Sequence, residues 1–525
     1  MLLAKGSRWL GTGPTSESTA TTAAPKSGSF ASRSVGSQSR AKIGLSEAIR
    51  GAAELRSGRN VLWRLARDVV AYGITTVLVR FLTFLLTPVY THALQPAELG
   101  EVSYVYAGLA FTMVFLTLGW ESAYMRFAVE APDQERRRIF TLAWSMVALN
   151  SLLAGALLWW GAPDVAEWLG LRHLGADGVR WAALIAVCDA VAVVPFAELR
   201  LRRRLGLFAA LRLGNIVLMV AATVYFLFVL RWGALGVLGA GVLASAATAV
   251  AVSPLVMRQF RWGWRGELMR QMLRYGLPTV PAALAGIALH VLDRPLLMVL
   301  MDAAAVGLYQ ANYRLALPML LMVSVFEYAW RPFFLERAEA ADAPRLFARV
   351  FWHWNVAAAF VYMVLVLWMP VVVRIPLWGS PPVHPTYWEG LGVVPIVAAG
   401  YVALGIYTIA AAAVHIRKQT EHLSLAMGLA VLTNVGLIWL LVPHLGYVGA
   451  AWATAAAFAV AAGVMLAVGQ RLRPVPYPWG SVGVAWAIVL AAVAVGSGDL
   501  VARGLGTFLG GLLLAGWWRW RSRWV

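Results

Sequence analysis

The chain has 525 residues, of which 60% are hydrophobic and only 13% are charged, whereas a soluble domain is closer to half apolar and a quarter charged. Long apolar segments fill the chain after residue 68, which excludes a large soluble domain. The net charge of +19 would suggest nucleic-acid binding in a soluble protein. Here the basic residues lie mostly in short loops and in the N-terminal tail, so anionic membrane lipids are the expected partner and nucleic acid is not.

Residues 1–68 differ from the rest of the chain. They are rich in Ser, Thr, Gly and Ala, carry several basic residues and have few acids. Such a segment cannot bury a core, so we predict a disordered basic cytoplasmic tail. Its composition also resembles an organelle transit peptide. We prefer a bacterial protein of the cytoplasmic (inner) membrane. No secretory signal is apparent, since no apolar signal-peptide core precedes Val69.

Fourteen apolar segments of membrane-spanning length follow the tail. We predict helices at 69–93, 101–123, 139–160, 180–199, 206–230, 233–256, 275–300, 303–329, 350–373, 390–413, 421–442, 447–468, 481–498 and 503–519. Clusters of Arg and Lys occur in every second loop, and basic residues collect on the cytoplasmic side of membrane proteins. The pattern therefore predicts that both termini are cytoplasmic.

Three segments recur along the chain in the same order. Residues 72–76 match 275–279, residues 100–106 match 307–313, and residues 233–236 match 446–449, with offsets of 203, 207 and 213. These offsets indicate two six-helix repeats, which are parallel because each has an even number of helices. We predict lobes at 69–256 and 257–470, with two extra helices in residues 471–525.

Six charged residues lie inside the predicted helices rather than at their ends. They are Arg80, Arg212, Arg294, Arg314, Asp189 and Asp293. An unpaired charge at the centre of a spanning helix costs about 2.5–3.5 kcal/mol on insertion scales, so these side chains should face the protein interior or a wet cavity. The four Arg outnumber the two Asp, which suggests a cavity built for an anionic substrate. Arg suits phosphate because its planar fork donates two hydrogen bonds at once.

The sequence allows more than one role for the two aspartates and for one histidine. Asp189 and Asp293 are candidates for structural counter-ions, for H⁺ or Na⁺ coupling, or for hinge locks. Arg294 is adjacent to Asp293, which favours pairing there. His290 lies one turn earlier, either as a polar interior residue or in a proton path. Arg212 lies one to two turns into its predicted helix, so its side chain could instead extend to the cytoplasmic interface.

Motifs of soluble enzymes are missing from the sequence. It has no P-loop, no Gly-x-Ser-x-Gly and no His-Glu-x-x-His, and Cys188 is its only cysteine. We therefore predict a transporter rather than an enzyme, with no metal site and no cofactor. H⁺ and Na⁺ are the candidate coupling ions.

Several loop and helix-end motifs resemble the lipid-linked oligosaccharide (O-antigen and polysaccharide) flippase family. This family belongs to the multidrug/oligosaccharidyl-lipid/polysaccharide exporter superfamily. The matching segments are 94–100 (LQPAELG), 119–123 (GWESA), 126–127 (RF), 276–278 (GLP), 293–294 (DR), 307–309 (GLY), 329–333 (AWRPF) and 449–454 (GAAWAT).

The resemblance implies a V-shaped, MATE-like pair of lobes with alternating access, and a polyprenyl-pyrophosphate-linked oligosaccharide as substrate. Arg80, Arg294 and Arg314 would then neutralise the pyrophosphate. Polysaccharide polymerases and glycosyltransferases are the protein partners it suggests.

Three alternatives stay open. One is a cation-coupled drug exporter of the same superfamily, which the surplus of Arg disfavours. Another is a flippase of the lipid II type. The third, of another class, is a membrane polysaccharide polymerase or ligase, although the longest outer loops, about 161–179 and 374–389, are short for such an enzyme.

Overall fold

A computed structural model describes residue 78 and residues 81–521, apart from 262, 264, 341, 377 and 378. The predicted tail and the start of the first predicted helix, including Arg80, lie outside the described residues. The described chain consists of helices joined by short loops, as the sequence predicts.

The first predicted lobe contains eight helical pieces. They are α1 (81–93), α2 (Pro96–Thr117), α3 (Trp120–Ala128), α4 (Asp133–Trp160), α5 (Ala162–Trp168), α6 (Gly175–Leu201), α7 (Leu205–Val224), which continues as the π-helical turn Tyr225–Val229, and α8 (Gly233–Gln259).

The rest of the described chain contains eleven further α-helices. They are α9 (Gly266–Gly276), α10 (Val280–Val291), α11 (Asp293–Leu300), α12 (Ala303–Leu315), α13 (Leu317–Glu336), α14 (Ala343–Val372), α15 (Val393–Ile416), α16 (Glu421–Leu445), α17 (Tyr447–Leu472), α18 (Trp479–Val495) and α19 (Leu500–Arg521). The 3₁₀ segments Leu277–Thr279 and Pro385–Gly392 precede α10 and α15.

Eleven segments of the described chain are long and apolar enough to cross a membrane. They correspond to eleven of the fourteen predicted helices. The first predicted helix is only partly described, the eighth is divided into α12 and α13, and the thirteenth, α18, has 17 residues. All fourteen predicted segments are therefore helical where the structure describes them.

Three predicted helices are interrupted. The second breaks at Leu118 and Gly119, which both have positive φ (41° and 74°). The seventh becomes α9, α10 and α11, with a 3₁₀ turn at Pro278 and a break at Leu292. The eighth breaks at Ala316, two residues before a proline. Proline lacks the N–H that would continue the helix, so two of these breaks have a local cause.

The two repeats meet where α2 crosses α12. A Cβ placed on Gly100 would lie 1.7 Å from the Ala303 carbonyl oxygen, and one on Gly307 would lie 1.8 Å from the Pro96 oxygen. Under the repeat offset of 207, Gly100 corresponds to Gly307 and Pro96 corresponds to Ala303. Each of the two contacts is therefore the other one with the repeats exchanged. A reciprocal contact of this kind is what a two-fold relation between repeats produces, so the crossing supports the predicted duplication.

A set of contacts, the outer clasp, joins the end of α1 to the loop before α15 on the predicted outer side. His92 Nε2 lies 2.6 Å from the Pro381 carbonyl oxygen, and the Tyr387 hydroxyl donates to the Leu94 carbonyl at 2.9 Å. The rings of His92 and His384 are 5.7 Å apart. The clasp therefore ties the two predicted lobes together on this side.

A second contact joins the lobes on the predicted cytoplasmic side. A Cβ on Gly119 would lie 2.2 Å from the Gly276 carbonyl oxygen, and the rings of Phe127 and Tyr275 are 6.1 Å apart. Only glycine fits at position 119, because of both its φ and this close approach. The lobes thus touch near both faces of the predicted membrane span.

Candidate functional site

Asp293 and Arg294 form a buried ion pair at the first turn of α11. Their side chains are 5% and 9% exposed, and Arg294 Nη1 lies 3.0 Å from Asp293 Oδ1. Arg294 Nε also donates to Gln310 at 2.8 Å, and the Tyr309 hydroxyl donates to Asp293 Oδ2 at 2.7 Å. The predicted pairing of these two residues is present, and each charge has additional partners on α12.

His290 contributes to this cluster through its backbone. Its carbonyl oxygen accepts a hydrogen bond from Arg294 Nη1, and its ring lies 6.1 Å from that of Phe458 on α17. A kinked helix frees carbonyl groups that side-chain donors can then use. The break at Leu292 therefore helps to hold the Arg294 guanidinium in the protein interior.

Arg314 occupies the last turn of α12. Its guanidinium carbon lies 4.8 Å from the centre of the Tyr90 ring on α1, within cation–π range. Its Nη1 is buried and has no hydrogen-bond partner among the described residues. A buried donor without an acceptor costs about 1–3 kcal/mol, and an anionic ligand would supply the missing acceptor.

Asp189 and Arg212 lie in a separate polar cavity of about 240 Å³. Ser245 is a hydrogen-bonding neighbour of Asp189, and the Arg212 guanidinium lies 4.4 Å from the Phe196 ring centre. The cavity is formed by α2, α6, α7 and α8. The structure therefore divides the predicted site residues into two groups.

Tyr106 on α2 connects these two groups. It lines the polar cavity, and its hydroxyl is buried with no partner in the described part of the chain. Tyr90, Asp189 and Arg314 all lie within electrostatic reach of it. A path of polar groups thus runs from Arg314 on α12 to the cavity inside the first lobe.

Several charged residues that the sequence did not single out are also held inside the fold. Glu101 is 1% exposed and accepts hydrogen bonds from three consecutive backbone N–H groups of residues 172–174. Glu198 is fully buried and bonds to Tyr124 and Arg202. Both lie near helix ends, where sequence alone suggests interfacial charges.

Another missed set consists of Glu327 and Arg331 on α13, which share a cavity with His415 on α15. The only sequence signal is the one-turn spacing of the acid and the base.

No group of three or more His, Cys, Asp or Glu in the described residues could hold a metal ion.

Replacing Asp293 by Asn is expected to lower the free energy of unfolding by about 3 kcal/mol, because the Arg294 charge stays buried without its counter-ion. Thermal unfolding in detergent would measure the loss. The matched control is Asp177→Asn, which removes the 63%-exposed partner of Arg180 and should cost less than about 1 kcal/mol. Equal stability of the two variants would contradict a structural role for the buried pair.

Comparison with protein families decides the identity of the chain. The family model described as "Polysaccharide biosynthesis protein" matches residues 65–336, which is just over half of the sequence. The chain belongs to this family. No curated protein matches it by sequence.

Solved structures confirm the fold of this polysaccharide biosynthesis protein. Lipid II flippase MurJ in its inward closed conformation matches with a TM-score of 0.67 and 12% identity, covering 86% of this chain and 98% of that one. An inward-facing multidrug resistance MATE transporter of the MOP superfamily matches at 0.59 and 16%, covering 77% and 98%. Its outward-facing counterpart matches at 0.52 and 17%, covering 78% and 96%. The predicted all-α, MATE-like membrane fold is confirmed, and the chain is a multi-pass membrane protein.

Proposed function

We propose that this protein flips a polyprenyl-pyrophosphate-linked oligosaccharide across the bacterial cytoplasmic membrane. The observation that carries the proposal is Arg314, a cation with a spare donor at the boundary between the two repeats. Charge-assisted hydrogen bonds to phosphate are the strongest that an arginine makes. Membership of a polysaccharide biosynthesis family supports an oligosaccharide as the other part of the substrate.

The similarity to MurJ supports a lipid-linked substrate. That protein is described as a lipid II flippase, and lipid II is itself a lipid-linked saccharide. In the present chain Arg314 would receive the pyrophosphate, with Arg80 and Arg294 as further cations. Arg294 is already paired with Asp293, so we assign the main contact with the pyrophosphate to Arg314.

The proposed movement is alternating access, in which residues 69–256 rock against 257–470. The lobes touch on the outer side through the outer clasp and near the cytoplasmic face through Gly119 and Gly276. Each set of contacts has to open in turn to admit and release the headgroup. The lipid tail would stay in the bilayer, with α18 and α19 as its candidate groove. Proton or Na⁺ coupling through Asp189, Asp293 or His290 would make the cycle directional.

The competing functions differ in what the site should contain. A drug exporter for cations needs an unpaired acid at the boundary between the repeats, whereas Asp293 is paired there with Arg294 and the group with a spare hydrogen-bonding atom is Arg314. A polymerase or ligase needs an outer loop that presents catalytic residues. Here one outer loop is anchored by Glu101 and the other forms the outer clasp, which favours a transporter that works with separate polymerases and glycosyltransferases.

Reconstitution in liposomes tests the proposal directly. A fluorescent polyprenyl-pyrophosphate oligosaccharide placed in one leaflet should become accessible in the other at a rate that rises with the amount of protein. Protein-free vesicles give the background. Longer sugar chains without translocation would instead place the protein among polymerases, and efflux of a cationic dye would favour the drug exporter.

A further inference from the structure

A second cavity, of about 250 Å³, lies among α13, α15 and α16 in the predicted cytoplasmic half of the second lobe. Its polar lining comes from α13 and α15, while α16 contributes only apolar side chains. The residues used below are Glu327, Trp330, Arg331, Tyr407, Thr408 and His415. We call it the α13 cavity.

The two charged side chains of the α13 cavity have no hydrogen-bond or ion-pair partner among the described residues. Glu327 and Arg331 are one turn apart on α13, are exposed, and make no hydrogen bond or ion pair with any described residue. Across the cavity, Glu327 lies within electrostatic reach of Tyr407, and both charges lie within reach of His415. Trp330 is only 3% exposed, and its buried indole N–H has no acceptor among the described residues.

The cavity of the first lobe provides a useful comparison. That cavity is lined by α2, α6, α7 and α8, whereas α13, α15 and α16 line this one. In the first, Asp189 has Ser245 beside it and Arg212 packs on Phe196. In the α13 cavity the acid and the base have no such partners, so they are available to a ligand.

The chemistry of these groups fits a polyhydroxylated ligand. A carboxylate accepts hydrogen bonds from two hydroxyl groups, and a guanidinium donates two in a fixed plane. Tyr407 adds a hydroxyl group, and the Thr408 hydroxyl, which donates to the Leu404 carbonyl at 3.0 Å, adds an acceptor. The volume is below the roughly 300–1,000 Å³ of sites for drug-sized ligands, so it suits one sugar ring rather than a whole oligosaccharide.

We propose that the α13 cavity binds one sugar residue of the lipid-linked oligosaccharide, with Glu327 and Arg331 as the groups that recognise its hydroxyls. This proposal rests on the proposed function. Thirteen residues and the break at Ala316 separate Arg314 from Glu327, which is at most about 20 Å of helix length. The sugar in the α13 cavity is therefore one farther along the chain than the sugar attached to the pyrophosphate.

Two lipid probes separate recognition of the sugar from recognition of the pyrophosphate. They are undecaprenyl diphosphate, which carries no sugar, and the lipid-linked oligosaccharide fraction extracted from the source cells. Native mass spectrometry of the purified full-length protein would measure binding of each. Glu327→Gln and Arg331→Gln should each weaken binding of the sugar-bearing lipid about tenfold, the effect of losing a charge-assisted hydrogen bond, and leave undecaprenyl diphosphate binding unchanged.

The matched control is Glu336→Gln, which changes an exposed acid at the end of the same helix, outside the cavity. It should leave the affinity for both lipids unchanged. If the wild type binds both lipids and the two cavity variants behave like the control, the sugar site is refuted while the flippase stands. Equal weakening for both lipids, or a changed pH dependence of transport with unchanged affinities, would also refute it. Failure of the wild type to bind either lipid would overturn the proposed function itself.

Discussion

Replacing Arg314 by alanine is expected to slow translocation of the lipid-linked oligosaccharide about 100-fold without lowering the stability of the protein. Loss of two charge-assisted hydrogen bonds to the pyrophosphate accounts for the rate. Stability should stay the same or rise, because the variant removes a buried donor that has no acceptor in the described structure. Liposome translocation and thermal unfolding of the same preparation would measure both effects.

A lysine at the same position gives a graded test. Arg314→Lys keeps the charge but loses the planar fork, so we expect a loss of about tenfold. Arg180→Ala, at a surface ion pair, serves as the control and should transport like the wild type. Parallel loss of stability and transport in Arg314→Ala would show that this arginine supports the fold instead of the substrate.

The second large effect is expected at the crossing of α2 and α12. Gly100→Ala would place a methyl group 1.7 Å from the Ala303 carbonyl oxygen, so the two backbones must separate by more than 1 Å. Overpacking of a close contact costs about 1–3 kcal/mol, and sometimes more. We expect a loss at the upper end of this range, because a main-chain oxygen cannot rotate away as a side chain can. Thermal unfolding in detergent would measure it.

A control for this variant exists on the same helix. Gly108 has no atom within 4 Å of the position its Cβ would take, and Gly108→Ala should therefore not destabilise the protein. Gly307→Ala opens the same crossing as Gly100→Ala, so the double variant should lose less than the sum of the two single losses. If Gly100→Ala is as stable as Gly108→Ala, the two helices are farther apart than described.

The sequence was sufficient to predict the helices, because membrane helices are specified by their own length, hydrophobicity and flanking charge. It was insufficient to predict all of their interruptions. Pro278 and Pro318 mark two breaks locally. The break at Leu118 has no proline, and its Gly119 abuts Gly276 from a distant part of the chain, a contact that no local pattern indicates.

The candidate site was predicted in its components and not in its grouping. Charges inside apolar segments are costly, so Asp293, Arg294 and Arg314 stood out from the sequence. The distance between helices is not encoded in their periodicity, and so the separation of Asp189 from Arg294 could not be foreseen. Glu327 was missed because it lies near the end of the predicted helix 303–329, where an acid is usually at the interface, whereas α13 extends to Glu336 and places it beside a cavity.

The outer clasp has a consequence for how this protein is made. His92 and Pro381 are joined by a hydrogen bond across 289 positions of sequence. At a synthesis rate of about 5–20 residues per second, α1 leaves the ribosome roughly 15–60 s before its partner loop. Over that interval the helices already made must stay inserted with the end of α1 unclasped, and Gly100 stays uncovered until Ala303 is made, about 10–40 s at the same rate. Lipid or a membrane chaperone has to shield these surfaces until the second half arrives, so the step most exposed to misassembly is the meeting of the two halves.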